Sequence, residues 1–306
     1  MTAPLFRWVA EAPGPLHELL FRHGLVRAIH EERVFVDGKR VPSKQDAPQQ
    51  LTVGAVVEVF APRPQAFIDI IDVVEDGVFV VYKPAALPTE PDKSGADCVL
   101  RQLADELDLN ARDLFAVSRL DVGVSGVLLV ADGHRARMRL LQERARGSLR
   151  RRYIALASGV PEPAEGEWRD ALGRGSGGKR VVDIRDGQAA HSRYRLVATA
   201  NAVSRERPLT SLLALAPITG RTHQLRVHAS AHGAPLLGDR KYSGPVRLTL
   251  ADGSVQSLPR IFLHSVSVEW GPRSERQLYL SEPDTDMVET WLALGGDPTA
   301  IQRALD

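Results

Sequence analysis

Apolar positions along the chain recur at two periods, and the switches between them outline its elements. Near the N-terminus, Leu16, Leu19, Leu20, Leu25 and Ile29 stand at helical intervals, with Gly24 as a break. Runs over 34–36 and 39–41 flank Asp37-Gly38 and predict a small hairpin, and 51–60 predicts a further strand. Ala61-Pro62-Arg63-Pro64 reads as an extended linker. Beyond it, 68–74 and 78–82 are strand-like around Glu75-Asp76-Gly77, while 98–107 and 135–142 carry helical spacing. Val127-Leu128-Leu129-Val130-Ala131 is apolar throughout, the mark of a buried strand. Short strands follow over 153–157, 193–198, 211–216 and 262–270, then short helices over 287–294 and 300–305. Strands and helices mix without a regular βαβ rhythm, which predicts an α+β fold with a mixed, largely antiparallel sheet. The linker divides a small α+β module over 1–62 from a larger domain over 63–306.

Composition narrows the class. A chain of 306 residues, 43% hydrophobic and 25% charged, fits a soluble globular protein with room for a large core. No apolar run reaches the roughly 18 residues of a membrane span, and the N-terminus predicts no signal peptide. Cys98 is the single cysteine, so no internal disulfide or cysteine-rich metal cluster is expected, and a reducing cytoplasm is the expected compartment. Net charge is only +1, which by itself does not point to nucleic acid.

The chemistry concentrates in two segments. Ser118-Arg119-Leu120-Asp121-Val122-Gly123-Val124-Ser125-Gly126 leads straight into the buried apolar run. A carboxylate that close to a core strand loses hydration and needs a cation. The two glycines and the serine beside it suggest a ligand approaching the backbone. About a hundred residues later comes Gly220-Arg221-Thr222-His223-Gln224-Leu225-Arg226-Val227-His228, followed by Gly233, Pro235, Gly238-Asp239 and Tyr242. Thr222 is placed to cap a helix running to about Gly233, with Arg226 in its early turns.

Together these segments resemble the RluA-type RNA pseudouridine synthases, whose motifs read roughly His-Arg-Leu-Asp-x-x-Thr-Ser-Gly and Gly-Arg-Thr-His-Gln-Ile-Arg-Val-His. Val80-Val81-Tyr82-Lys83-Pro84, Arg151-Arg152-Tyr153 with Gly159, and Leu263-His264 extend the match over about residues 75 to 285. The resemblance implies the pseudouridine synthase fold for 63–306. For 1–62 the helices and hairpin resemble the alpha-L RNA-binding module of ribosomal-protein-S-four type, without its usual basic first helix.

The resemblance also assigns roles. Asp121 is the catalytic carboxylate, able to act as nucleophile, general base or both; a lone aspartate at a strand end would otherwise read as a structural ion pair. Arg226 is its partner, offsetting desolvation and fixing its orientation. Arg119 and Arg221 are rivals for that place, the first sharing a face with Asp121 in an extended segment. Tyr153 is expected to stack on an extruded uracil. Substrate contact is expected of Arg119, Leu120, Arg221, Thr222, His223, Gln224, Leu225, Lys83 and Arg151. Lys83 reads as a phosphate contact or a solvent-exposed residue shaping the loop at a strand end. No metal, nucleotide or redox cofactor is implied, because isomerisation exchanges one bond for another without net oxidation. The implied partner is structured RNA, rRNA or tRNA, acted on by a monomer.

Several signals are weighed against this. From His134 to Arg152 there are eight arginines against Glu143, a run that suits either an RNA backbone or a solvated helix face; its nearness to the candidate site favours RNA. Gly173-Arg174-Gly175-Ser176-Gly177-Gly178-Lys179-Arg180 approaches a P-loop but has Arg180 where a hydroxyl is required, so a flexible basic surface loop is expected there and a phosphotransferase is not. His223, His228 and His232 lack a metalloprotease pattern and are expected to bond backbone groups or RNA phosphate. Ser118 and Val124 depart from the family's histidine and threonine. Those departures support one rival reading, an RNA-binding protein or RNA chaperone of the same fold without turnover.

Overall fold

The computed structural model describes residues 6–22, 27–30, 34–42, 50–59, 66–74, 76–91, 97–183, 185–200, 209–249, 255–271 and 276–305. The expected break at Gly24 and the linker over 61–64 lie outside them. The chain divides into two compact units, Met1–Gln65 and Ala66–Asp306.

In the first unit, strands Phe6–Val9, Val56–Val59, Val34–Val36 and Lys39–Arg40 pair in that order. Asp37 and Gly38 both take positive φ, 50° and 73°, the geometry of a tight hairpin turn that Asp-Gly favours. Leu16 and Leu20 of helix Leu16–Arg22 lie one turn apart and join Val34, Val36, Val57 and Val59 in a small core.

The second unit is built on a ten-stranded mixed sheet. Its main path runs Glu165–Trp168, Ser192–Ala200, Thr210–Pro217, Arg150–Ser158, Leu263–Trp270, Ser125–Asp132, Val78–Lys83 and Asp69–Val74. Gln277–Leu280 and Leu114–Ala116 pair at its sides. Pairing is antiparallel except between Ser125–Asp132 and Leu263–Trp270, so the expected largely antiparallel sheet is what forms. The apolar run 127–131 is explained by coverage on both faces. Leu128 and Val130 pack with Val99, Leu100 and Leu103 of helix Val99–Leu107; Val127 and Leu129 pack with Ala136 and Leu140 of helix Gly133–Ala145. Helices Thr285–Ala293 and Pro298–Leu305 add Met287, Trp291, Ala300 and Ala304 to a third cluster with Ile154, Leu156 and Leu212.

Two expectations are corrected here. Gly126 has φ +113°, and a side chain on it would run into the backbone of Ser265 in the adjoining strand, while one on Gly123 would meet Ile261. These glycines serve the approach of chain to chain, not of a ligand. The glycine-rich stretch forms the turn of a hairpin between Ala171–Arg174 and Arg180–Val182, in a three-stranded sheet with Gln188–Ala189, rather than an isolated loop. No P-loop helix follows it. Among the described residues no helix is long and apolar enough to cross a membrane.

Candidate active site

The loop before strand Ser125–Asp132 is pinned from below. Thr89 Oγ1 donates to the Leu120 carbonyl at 2.7 Å and accepts from the Leu120 amide at 3.1 Å, and the Asp121 carbonyl accepts from the Val124 amide at 2.9 Å. Lys83 is fully buried, its Nζ donating to the carbonyls of Leu87 at 2.7 Å, Pro84 at 2.9 Å and Val122 at 3.4 Å. Burial pushes this ammonium down to about 7, against the opposing pull of Asp121. Lys83 therefore reaches neither phosphate nor solvent. It knots the chain behind Asp121.

The second segment enters from the far side. Strand Thr210–Pro217 ends in a turn, and helix Gln224–Ala231 follows. The residue that opens this helix is His223, in the left-handed region at φ 58°, not Thr222. Gln224 does the tying instead. Its Oε1 accepts from Thr219 Oγ1 at 2.6 Å and the Arg221 amide at 2.9 Å, and its Nε2 donates to the His191 carbonyl and Ser192 Oγ. With both ends of its amide engaged, Gln224 braces the turn.

That bracing delivers Arg226 to Asp121 across 105 residues of sequence. Arg226 Nη1 donates to Asp121 Oδ2 at 2.6 Å, while its Nε and Nη2 grip Asp239 at 2.7 and 2.8 Å. The side chains of Arg226 and Asp239 keep 7% and 1% of their exposure, that of Asp121 27%. Burial works against the Arg226 charge, but the two carboxylates outweigh it and hold its pKa above the ordinary value. Tyr242 stacks against the guanidinium at 4.9 Å and shares a 2.6 Å hydrogen bond with His223 Nδ1. His223 Nε2 stands 3.9 Å from Asp121 Oδ1, and burial pushes this imidazole down, favouring its neutral form.

A cavity of about 410 Å³ opens above the pair. Asp121 and Arg226 lie on it with Leu120, Leu225, Tyr153, Arg119, Arg151, Arg221, Thr222, His223 and Gln224. Tyr153 is largely buried on strand Arg150–Ser158, opposite Leu215 and Ser265, and lines this space. Arg119 turns to Glu90 at 3.4 Å, and Arg221 Nε to the Ala189 carbonyl at 3.1 Å, so neither displaces Arg226 beside Asp121.

Asp121 and Arg226 both lie within a stretch that matches a known protein family. The model of the RNA pseudouridylate synthase family matches residues 77–231, from the Val78 strand to the end of the Arg226 helix. The chain belongs to this family. The dual-specificity RNA pseudouridine synthase RluA of Salmonella typhimurium is 32% identical over 201 residues, covering 62% of this chain and 81% of that one. RNA pseudouridine synthase 2 of Arabidopsis thaliana chloroplasts is 35% identical over 142 residues, 44% of this chain and 32% of that one. In structure, human RNA pseudouridylate synthase domain containing 4 superposes with a TM-score of 0.56 at 24% identity, over 74% of this chain and 92% of that one. The protein is an isomerase that converts uridine in RNA to pseudouridine.

The other two histidines of this segment meet side chains, and His228 also meets the Asp170 backbone. His228 Nδ1 meets Ser192 Oγ at 3.0 Å and His232 Nε2 meets Asp170 at 2.8 Å. The arginine run splits by direction. Arg135 and Arg137 are exposed on the helix, whereas Arg144 and Arg151 turn into the cavity. Two groups at this site carry no role predicted from the sequence, Asp239 and Arg144. A signal for Asp239 was present, an acid beside a glycine ahead of Tyr242, but its partner could not be read from spacing. Arg144 looked like any other arginine of its run.

Proposed function

We propose that Asp121 is the group that opens the isomerisation, acting on an extruded uridine of structured rRNA or tRNA. The observation that carries this is the Asp121–Arg226–Asp239 chain on the floor of a one-nucleotide cavity. With its Nε and Nη2 bonded to buried Asp239, Arg226 gives Asp121 one hydrogen bond, from Nη1 to Oδ2, which holds the carboxylate while Oδ1 takes no hydrogen bond from the guanidinium. A carboxylate so placed serves as nucleophile or base while the bond from uracil to ribose breaks. The base turns, its C5 bonds to the ribose carbon, the C5 proton leaves and N1 takes one up, so nothing is oxidised. Tyr153 offers the ring face on which the detached uracil stacks. Arg119, Thr222 and His223 line its route, and Leu120 and Leu225 supply the apolar wall.

The first unit, over about 1–62, is read as an alpha-L-like RNA-binding module that brings structured RNA to the cavity; its helix and hairpin over one small core support this. The enzyme is read as a cytoplasmic monomer. Chemical mapping of pseudouridine in rRNA and tRNA incubated with the wild-type chain, beside Asp121→Ala, tests the reading. New pseudouridine with wild type and none with Asp121→Ala is expected. Modification that persists in Asp121→Ala removes the aspartate from the mechanism, and none from either chain favours an RNA-binding protein without turnover.

A further inference from the structure

Five guanidiniums line the cavity, and they divide into two kinds. Arg226 and Arg119 face carboxylates, Asp121 with Asp239 and Glu90 respectively. Of the other three, Arg144 and Arg151 bond the Thr219–Gly220 turn and Arg221 follows it in the chain, and all three meet only neutral oxygens among the described residues. Arg144 donates to the carbonyls of Val117 at 2.9 Å and Gly220 at 3.4 Å. Arg151 donates to Ser118 Oγ and the Thr219 carbonyl, both at 3.2 Å, and its Nε is buried without a hydrogen-bond partner. Arg221 donates to Ala189. The packing is close enough that a side chain on Gly220 would overlap the Arg144 guanidinium. Burial first, then the charges of Arg151 and Arg221, push the Arg144 pKa down. Three like charges on one wall of the cavity, none in contact with a carboxylate among the described residues, are unfavourable in the free protein, and an anion relieves them.

We infer that Arg144, Arg151 and Arg221 form an anion subsite for a phosphodiester of the substrate RNA next to the extruded uridine, with Ser118 positioning Arg151. The inference rests on the synthase reading, since an extruded nucleotide draws its flanking phosphates to the cavity wall. Three planar guanidiniums suit phosphate oxygens better than point charges do. Ser118, where related synthases carry histidine, accepts the Arg151 hydrogen bond with a small neutral group and adds no further cation to the wall.

Binding to a stem-loop RNA with an all-uridine loop, followed by fluorescence anisotropy across a salt series, tests this. The Asp121→Ala background removes turnover, so the result does not depend on the chemistry at Asp121. Arg144→Gln and Arg221→Gln are each expected to weaken binding roughly tenfold at low salt. Each should also flatten the slope of log Kd against log salt by about 0.7 to 1. Arg144→Lys is expected to regain the slope but only part of the affinity. Weaker binding with an unaltered slope in both glutamine variants would mean that these arginines only support the turn, and would overturn the subsite. So would unaltered binding, or no salt-dependent binding by the parent chain. Loss of pseudouridine formation by the wild-type chain would count instead against the reaction proposed above, and these binding curves would stand.

Discussion

Arg226 divides one guanidinium between two carboxylates of very different burial, so removing either should have separable consequences. Asp239 is sealed at 1% exposure and takes two hydrogen bonds from Arg226, at 2.7 and 2.8 Å, and a third from the Tyr242 amide at 3.3 Å. Asp239→Ala strips a buried cation of its bidentate partner, and breaking a buried pair from one side costs about 3–5 kcal/mol. Asp121 keeps 27% exposure and one bond. Asp121→Ala leaves Arg226 satisfied by Asp239, so the loss is that of a partly screened pair, about 1 kcal/mol. For a unit spanning Ala66–Asp306, each kcal/mol moves the melting temperature by about 2–4 °C. Asp239→Ala should therefore melt roughly 6–20 °C below wild type, and Asp121→Ala no more than about 4 °C below. Calorimetry gives the melting temperatures and pseudouridine mapping gives the activity. Asp121→Ala should be folded and inactive, Asp239→Ala destabilised and impaired. If Asp121→Ala melts as low as Asp239→Ala, the assignment of Asp239 to support and Asp121 to chemistry is wrong.

Other consequences are equally open to measurement. His264 and His228 are buried, and burial pushes each imidazole down to about 4, so the unfolded chain binds protons there between pH 6.5 and 4 while the folded chain does not. Their contribution is complete above pH 6.5 and falls away toward pH 4, by about 3 kcal/mol for each group. Melting temperature against pH should show that acid slope, and a His264→Gln profile parallel to wild type would refute it. Tyr153→Phe keeps the ring and should retain substantial turnover, whereas Tyr153→Leu should lose roughly 5- to 150-fold, the worth of one stacked base; equal losses in the two variants would remove stacking from the account. Gly126→Ala places a side chain against the Ser265 backbone at φ +113° and should prevent soluble folding, which an expression and solubility assay checks. Gly220→Ala should displace Arg144 and raise KM more than it lowers kcat; the reverse split would assign the turn to chemistry.

Much of the fold was legible because local rules and tertiary packing agree. The unbroken apolar run 127–131 announced a strand covered on both faces, and alternate residues of it do enter opposite clusters. Helical spacing over 98–107 reappears as Val99–Leu107 with Val99, Leu100, Leu103 and Ala104 buried. What misled was the polar and glycine chemistry. Thr222 satisfied the rule for a helix cap, yet Gln224 holds the turn through a hydrogen-bond network that reaches His191 and Ser192. Lys83 resembled a phosphate ligand because a lysine at a strand end is usually exposed; three carbonyls converging from Pro84, Leu87 and Val122 make burial possible. Gly126 suggested ligand approach where it permits the approach of Ser265.

The sequence by itself determined which residue types had to meet: an aspartate ahead of a buried strand, and an arginine early in a helix a hundred residues on, joined by the motifs of one enzyme family. The strand and the helix follow from short-range patterns, which periodicity and spacing encode directly, while the meeting of the two residues is what the resemblance to that family implied. Only the tertiary structure decided how the charges are shared. Hydrogen bonds depend on separations of a few ångströms between elements distant in the chain. Thus Asp239 takes the larger part of Arg226, Arg119 turns to Glu90, and Arg144 and Arg151, from separate elements, meet at the Thr219–Gly220 turn on neutral oxygens among the described residues.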